Sequence, residues 1–410
     1  MASKTLNKQP RRKQEMIQAA AEVMRKKGVL TTRLQDVADH LGMAYTALYN
    51  YFPSRDHLAE EVLTWTIKGR LEMLDSIKAE SALDQLLVFF RRVLMERRVV
   101  QVRVPLLFGL PEPHRAVVAD ARDVLLNRLI QLLDEGMAEG SIRPLDATTN
   151  ANALLVLLER LTIAEESVFS NNVRALPLAR VADQICGVLD TGILIDRDMP
   201  PQPSFRLGDP SELLSFNPEL TPDLAKMDRI FAVATRHLNL EGPSASIPRI
   251  ASEIGVSKTV IYQFVLDKQD LIYQCYQRGI EVVEMSQRIA DDFGEDPLDA
   301  IVIHRNNLYR FHDCAVGPFA FLNAVGSLKP QHQRLISTRN RGLRDTSVGR
   351  LRRAQEQSLI VPDIDADIVQ PIFGQMLYGL PGWYDDSQHT GIEDVCWQTG
   401  LIPFIGLRQR

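Results

Sequence analysis

Two short stretches of this 410-residue chain carry side chains suited to touching a nucleic acid. Residues 44–50 read AYTALYN. Wound as a helix, they turn Leu48 inward with the nearby Phe52 and turn Tyr45, Thr46, Ala47, Tyr49 and Asn50 outward. Hydroxyls and amides of that kind bond phosphate oxygens or base edges, and a small Ala47 fits against a thymine methyl. Residues 258–263 read KTVIYQ and present Lys258, Thr259, Val260, Tyr262 and Gln263 in the same way.

These side chains need a stiff helix, a tight turn and a short second helix to hold them. Residues 34–52, LQDVADHLGMAYTALYNYF, and 247–265, IPRIASEIGVSKTVIYQFV, have that form at an offset of 213. Val37 falls on Ile250, Ala38 on Ala251, Leu41 on Ile254, Gly42 on Gly255, Leu48 on Ile261 and Tyr49 on Tyr262. An apolar stripe, a turn glycine and a second short helix with an aromatic end make a helix-turn-helix, which seats a helix in the DNA major groove. A plain helical hairpin packed in a bundle is the alternative. The doubling of the pattern, each copy preceded by a helix and a glycine stop (Gly28, Gly242), argues against it.

The net charge of −5 hides a local imbalance. Residues 1–58 hold ten Lys/Arg against five acids, a net of +5, including the basic arm Arg11-Arg12-Lys13 and Arg33. Residues 223–271 hold six of each, a net of 0. Arg12 and Arg33 join the candidate phosphate contacts, and the first reader has the better electrostatic footprint.

Apolar spacing of three and four runs through nearly every long segment, so the chain reads as all-α. The first helix spans 12–27 and its counterpart 223–240. The repeat continues: Ser141-Ile142-Arg143-Pro144 and Leu359-Ile360-Val361-Pro362 each precede an apolar helix, at an offset of 218. The organisation is a first head (1–58), a first helical body (59–198), a proline-rich linker (199–222), a second head (223–271) and a second body (272–410). No run of about 18 uncharged apolar residues exists, so no membrane partner is expected. The start MASKTLNKQPRRKQE is polar, which predicts a cytoplasmic protein. The scattered Cys186, Cys275, Cys314 and Cys396 read as reduced core thiols, and neither a metal nor a cofactor is expected. No glycine-rich phosphate loop, Gly-x-Ser-x-Gly or His-Glu-x-x-His is present, so an enzyme is disfavoured.

The run GMAYTALYNYFPSRDHL resembles the reader of TetR-type transcriptional repressors, and GVSKTVIYQFVLDKQDL resembles its front half more closely still. The family reader runs glycine, valine, serine, lysine, two small residues, leucine-tyrosine and an aromatic-phenylalanine pair, then a small residue and a basic one. The resemblance implies a three-helix DNA-binding head, an all-helical effector-binding body and dimerisation through the last two body helices, in a bacterial, nucleoid-associated protein. By position it implies DNA contacts at Thr46, Ala47, Tyr49, Tyr51 and Arg55, and at Lys258, Thr259, Val260, Tyr262, Phe264 and Lys268. This chain departs where the family's phenylalanine is Val265 and where its small residue is Asp267 in the second copy, although Ser54 keeps it in the first. An acid there repels phosphate.

Within the bodies, Phe90, Arg103 and Phe108 in the first, and His304, Asn307, His312 and Phe319 in the second, are the candidate contacts of an unidentified small-molecule effector. Inward arginine would hold an acidic ligand. The alternatives are a solvated arginine and a satisfied core histidine. The terminal helices, 148–167 with 177–195 and 365–380 with 390–407, pair either with each other as an internal pseudo-dimer or across chains as a homodimer. The covalent linker favours the internal pairing. The expected function is a repressor of double-stranded operator DNA, released by its effector. An adaptor or antagonist with a degenerate second head is the alternative.

Overall fold

The computed structural model describes residues 8–29, 31–96, 110–163, 170–196, 222–312, 325–384 and 391–409. The linker segment 199–221 and Cys314 lie outside them. Among the described residues the chain is helical throughout, with two isolated β-bridges and no strand.

The first head comprises α1 (Lys8–Lys27), α2 (Leu34–Leu41) and α3 (Tyr45–Tyr49). The first body comprises α4 (Arg55–Ser76), α5 (Ala82–Met95), α6 (His114–Glu139), α7 (Ala147–Ile163), the short α8 (Asn171–Arg174) and α9 (Leu178–Thr191). The second half repeats the order. Its head is α10 (Pro222–Glu241), α11 (Ile247–Ile254) and α12 (Lys258–Ile261). Its body is α13 (Lys268–Phe293), α14 (Pro297–His312), α15 (Pro330–Glu356), α16 (Ala366–Gln375), the short α17 (Leu380–Trp383) and α18 (Ile392–Ile405).

Local chemistry sets the helix ends. Ser54 begins α4 by accepting a hydrogen bond from the His57 amide, and Ser81 begins α5 the same way from Asp84. Such caps satisfy amides that have no partner within the helix. The first head packs Met16, Ile17, Ala20, Met24, Val37, Ala38, Leu48 and Phe52 into a core continuous with that of the first body. The second head packs Ile230, Ala234, Ile247, Ile250, Ile261 and Leu271 into a separate core, which Leu328 and Ile336 of its own body close.

The two halves meet through their last helices. Leu154, Leu157, Leu158, Ile185, Val188 and Leu189 of the first half share one buried core with Ile368, Ile372, Phe373, Ile402, Phe404 and Ile405 of the second. Backbone bonds cross this seam reciprocally. Leu194 donates to the Phe404 carbonyl and Arg408 donates to the Asp190 carbonyl, both at 2.9 Å. Arg143 donates to Leu407 at 2.9 Å while Val361 donates to Ile193 at 2.8 Å. The bridge of Ile142 with Arg408 is likewise matched by that of Leu194 with Ile360. Gly192 (φ 69°) and Gly406 (φ 74°) sit where the two chain segments pass. A Cβ at Gly192 would lie 2.5 Å from the Ile405 nitrogen, and one at Gly406 would lie 2.5 Å from the Thr191 carbonyl carbon. Both the positive φ and the approach of another backbone demand glycine here.

Side chains reinforce the seam. Gln184 donates to the Asp363 carbonyl and accepts from the Asp365 amide, at 3.1 and 2.7 Å. Arg160 donates to Gln375 at 2.8 Å, and Arg408 pairs with Asp190 at 2.7 Å.

Candidate nucleic-acid interface

The turn of each head is built alike. Gly42 (φ 62°) and Gly255 (φ 79°) end α2 and α11 in the left-handed conformation, and their amides bond back to carbonyls of the last helical turn. This is the conformation glycine adopts without penalty at a helix C-terminus. Leu48 and Ile261 then plug the core with no exposure, which fixes the roll of α3 and α12.

That roll decides what faces solvent. Tyr45 is 41% exposed and Tyr49 48%, their rings stacked at 5.9 Å between centroids. Tyr262, at the position matching Tyr49, is 45% exposed. Thr46, Asn50, Arg55, Lys258, Thr259 and Gln263 are exposed, while Ala47 and Val260 are half-buried. Arg12 and Arg33 are exposed on the same head as Tyr49. Tyr51 is half-buried with its ring tilted against Phe52 at 6.5 Å. Phe264 packs partly against the core of the second head, so Tyr262 is the aromatic that head offers to solvent.

Several cations in and beside the heads are held by acids. In the first, Lys27 bonds Asp36 at 2.5 Å, and that bond, helped by the Arg33 amide, holds the Asp36 carboxyl below the usual carboxylate range. Arg55 lies against Asp56. In the second, Arg236 pairs with Glu253 at 3.1 Å and Arg249 with Glu241 at 3.1 Å. His237 is buried between the same two carboxylates, at 2.8 Å from Glu253 and 2.9 Å from Glu241. Lys268 is half-buried; burial lowers its ammonium pKa, against the pull of Glu241. Asp267 has a structural task. Its carboxylate accepts from the Asp270 amide at 2.8 Å and so starts α13, as Ser54 starts α4.

The bodies hold polar groups in their interiors. Phe90 is fully buried edge-to-face against Phe89. Arg103, Phe108 and Phe319 lie outside the described residues, as does the His312 side chain. Other inward arginines occupy the first body. Arg70 is 4% exposed, and Arg122 is buried against Glu159 at 3.3 Å. Burial lowers the Arg70 pKa, with Glu159 and Glu96 opposing. Neither arginine stood out in the sequence, because a helical arginine is ordinarily solvated.

In the second body, Arg305 on α14 donates to the Cys396 carbonyl at 2.8 Å and to Thr399 at 2.6 Å on α18, and its guanidinium lies over the Tyr309 ring. His304 meets the Ser286 hydroxyl at 2.9 Å; burial, then the Arg350 charge, push its pKa down to about 3. Asn307 is fully buried, and neither amide atom finds a hydrogen-bond partner among the described residues. Cys186, Cys275 and Cys396 are free thiols; burial drives the first two up to about 12.

A family model for bacterial regulatory proteins of the tetR family matches residues 16–62. The HTH-type transcriptional repressor KstR2 of Mycolicibacterium smegmatis is 30% identical over 156 residues, covering 35% of this chain and 74% of the repressor. An uncharacterized HTH-type transcriptional regulator of Bacillus subtilis, YfiR, is 25% identical over 142 residues, 33% of this chain and 69% of its own. Among solved structures, the ketosteroid transcriptional regulator KstR2 of Mycobacterium tuberculosis aligns with a TM-score of 0.33 and 20% identity, over 43% of this chain and 93% of that one. In extent, each relative matches less than half of this chain. Among the described residues no helix is long and apolar enough to cross a membrane.

Proposed function

The chain belongs to the TetR family of bacterial regulatory proteins, and from that premise we propose that it is a repressor carrying both halves of a two-fold DNA reader in one polypeptide. The division is two heads, 1–58 and 223–271, two bodies, 59–198 and 272–410, and the linker 199–222. The observation that carries the reading is the matched exposure of Tyr49 and Tyr262 on the reader helices of two like-built heads. A large aromatic kept in water at the same place in both halves has a use outside the fold. With it stand Thr46, Asn50 and Arg55 on one side and Lys258, Thr259 and Gln263 on the other.

The reciprocal backbone exchange between the last helices of the two halves supports an internal pseudo-dimer. It satisfies the surface that separate subunits would otherwise bury against each other, so one chain engages one operator. Release follows from linkage: an effector that binds the body better when the heads are wrongly spaced lowers operator affinity, by the same factor as bound operator lowers affinity for the effector. Two groups support a polar effector. Arg70 and Arg122 place two buried guanidiniums inside the first body, the type of group that holds an acidic ligand. Asn307 offers, in the second, both ends of an amide that has no hydrogen-bond partner among the described residues.

The adaptor reading has one observation in its favour, the acids that hold Arg236 and Arg249 in the second head. Operator titration across salt concentrations, with the pair Tyr49/Thr46 and the pair Tyr262/Thr259 altered to alanine in separate variants, distinguishes the two. Loss of affinity in both variants, greater for the first, supports the repressor. No loss from the second pair supports the adaptor.

A further inference from the structure

We propose that the junction between the first head and its body is a binding site for one divalent transition-metal ion of the zinc type, held by His57, Glu60 and His114. The ligating atoms of these three side chains lie within 4.8 Å of one another. His57 and Glu60 stand on the first two turns of α4, directly after the reader. His114 opens α6, and its Nδ1 is 2.5 Å from Glu60 Oε2. The His57 and His114 rings meet edge-on at 6.0 Å.

Two imidazoles and a carboxylate suit a borderline ion such as Zn²⁺ or Co²⁺ and exclude the all-oxygen preference of Mg²⁺ and Ca²⁺. Ligand bonds of about 2.0–2.2 Å require the three atoms to draw in around the ion from within 4.8 Å of one another, and three protein ligands leave a position for water. The surroundings suit the ion as well. Glu61 Oε1 lies 3.7 Å from His57 Nε2 and bonds Lys13 of α1 at 2.5 Å. A carboxylate behind a ligating histidine is the usual second support of such a site. A bound ion would therefore tie α4 to α6, and through Glu61 and Lys13 to the first helix of the head.

The second half lacks the site. By the repeat offsets, Asp270, Tyr273 and His332 occupy the positions of His57, Glu60 and His114. Tyr273 and His332 stack at 4.1 Å, and Asp270 is committed to the Leu266 amide at 2.8 Å. The chain should bind one ion, not two.

The test uses the full-length chain, stripped with a chelator and titrated with Zn²⁺ and with Co²⁺. One equivalent is expected, with a visible Co²⁺ absorption, and with affinity reduced more than about tenfold in each of His57→Ala and His114→Ala. X-ray absorption of the wild-type Zn²⁺ complex should show an imidazole-containing nitrogen/oxygen shell without sulfur, and this readout stands even where a variant fails to fold. No stoichiometric uptake by the wild type, a second equivalent of equal affinity, sulfur in the shell, or unchanged affinity in both folded variants would overturn the assignment.

Discussion

Replacing Gly192 by alanine strikes the point where the two halves cross, and its cost can be built from the structure. Gly192 has φ 69° and ψ −168°, a region open essentially to glycine alone. Placing alanine there costs about 1–3 kcal/mol in backbone strain. The new methyl would also meet the Phe404–Ile405 backbone, which cannot rotate aside as a side chain can. Relief requires the crossing to open, and that lengthens the bonds from Ile193 and Leu194 to the Phe404 carbonyl, now 3.0 and 2.9 Å. Each is worth about 0.5–1.5 kcal/mol. The expected total is about 2–6 kcal/mol. Urea unfolding of the full chain, followed by far-ultraviolet circular dichroism, reads this as a lower midpoint. Gly187 provides the control: it lies on α9 with nothing within 4 Å of an added Cβ, so Gly187→Ala should be neutral or stabilise by up to about 1 kcal/mol. Gly406→Ala should resemble Gly192→Ala, and the double variant should cost less than the sum because the crossing is already open. A Gly192→Ala chain within about 1 kcal/mol of wild type would refute the interlocked seam.

Other expectations concern the interface and the bodies. Arg55→Ala should weaken operator binding and reduce the magnitude of the log-affinity against log-salt slope by about one unit, and Tyr49→Ala should weaken it across sequences; both are read by fluorescence anisotropy. Asn307→Leu removes a buried amide that has no hydrogen-bond partner among the described residues, so it should stabilise the chain by about 1–3 kcal/mol in urea unfolding while abolishing the response to an effector of the second body. His304 stays neutral in the folded chain down to about pH 3, whereas the unfolded chain takes up its proton below the ordinary 6.5. Its contribution to stability is therefore undiminished above pH 6.5 and is lost as pH falls from there towards 3, by about 1.4 kcal/mol per unit. His304→Gln should flatten that part of the pH profile.

Features of this chain that are specified locally are legible in its sequence. Gly42 and Gly255, with Leu48 and Ile261 after them, specify the readers within about twenty residues, because a turn conformation and an apolar stripe need no distant partner. The seam is different. Arg143 meets Leu407 through backbone atoms, which carry no sequence signature. Asp267 carries a second task that charge alone does not show: its carboxylate caps the start of α13. His57 and His114 lie on separate helices, and no spacing rule joins them. Arg70 and Arg122 were hidden by the ordinary preference of arginine for water.

In the proposed function one polypeptide supplies both readers of one operator. Native mass spectrometry of the purified chain with a duplex bearing its operator tests this most directly, since it counts subunits per DNA. One chain per duplex is expected, with hydroxyl-radical footprints over two successive major grooves on one face. Two chains per duplex, or one chain protecting a single groove, would contradict it.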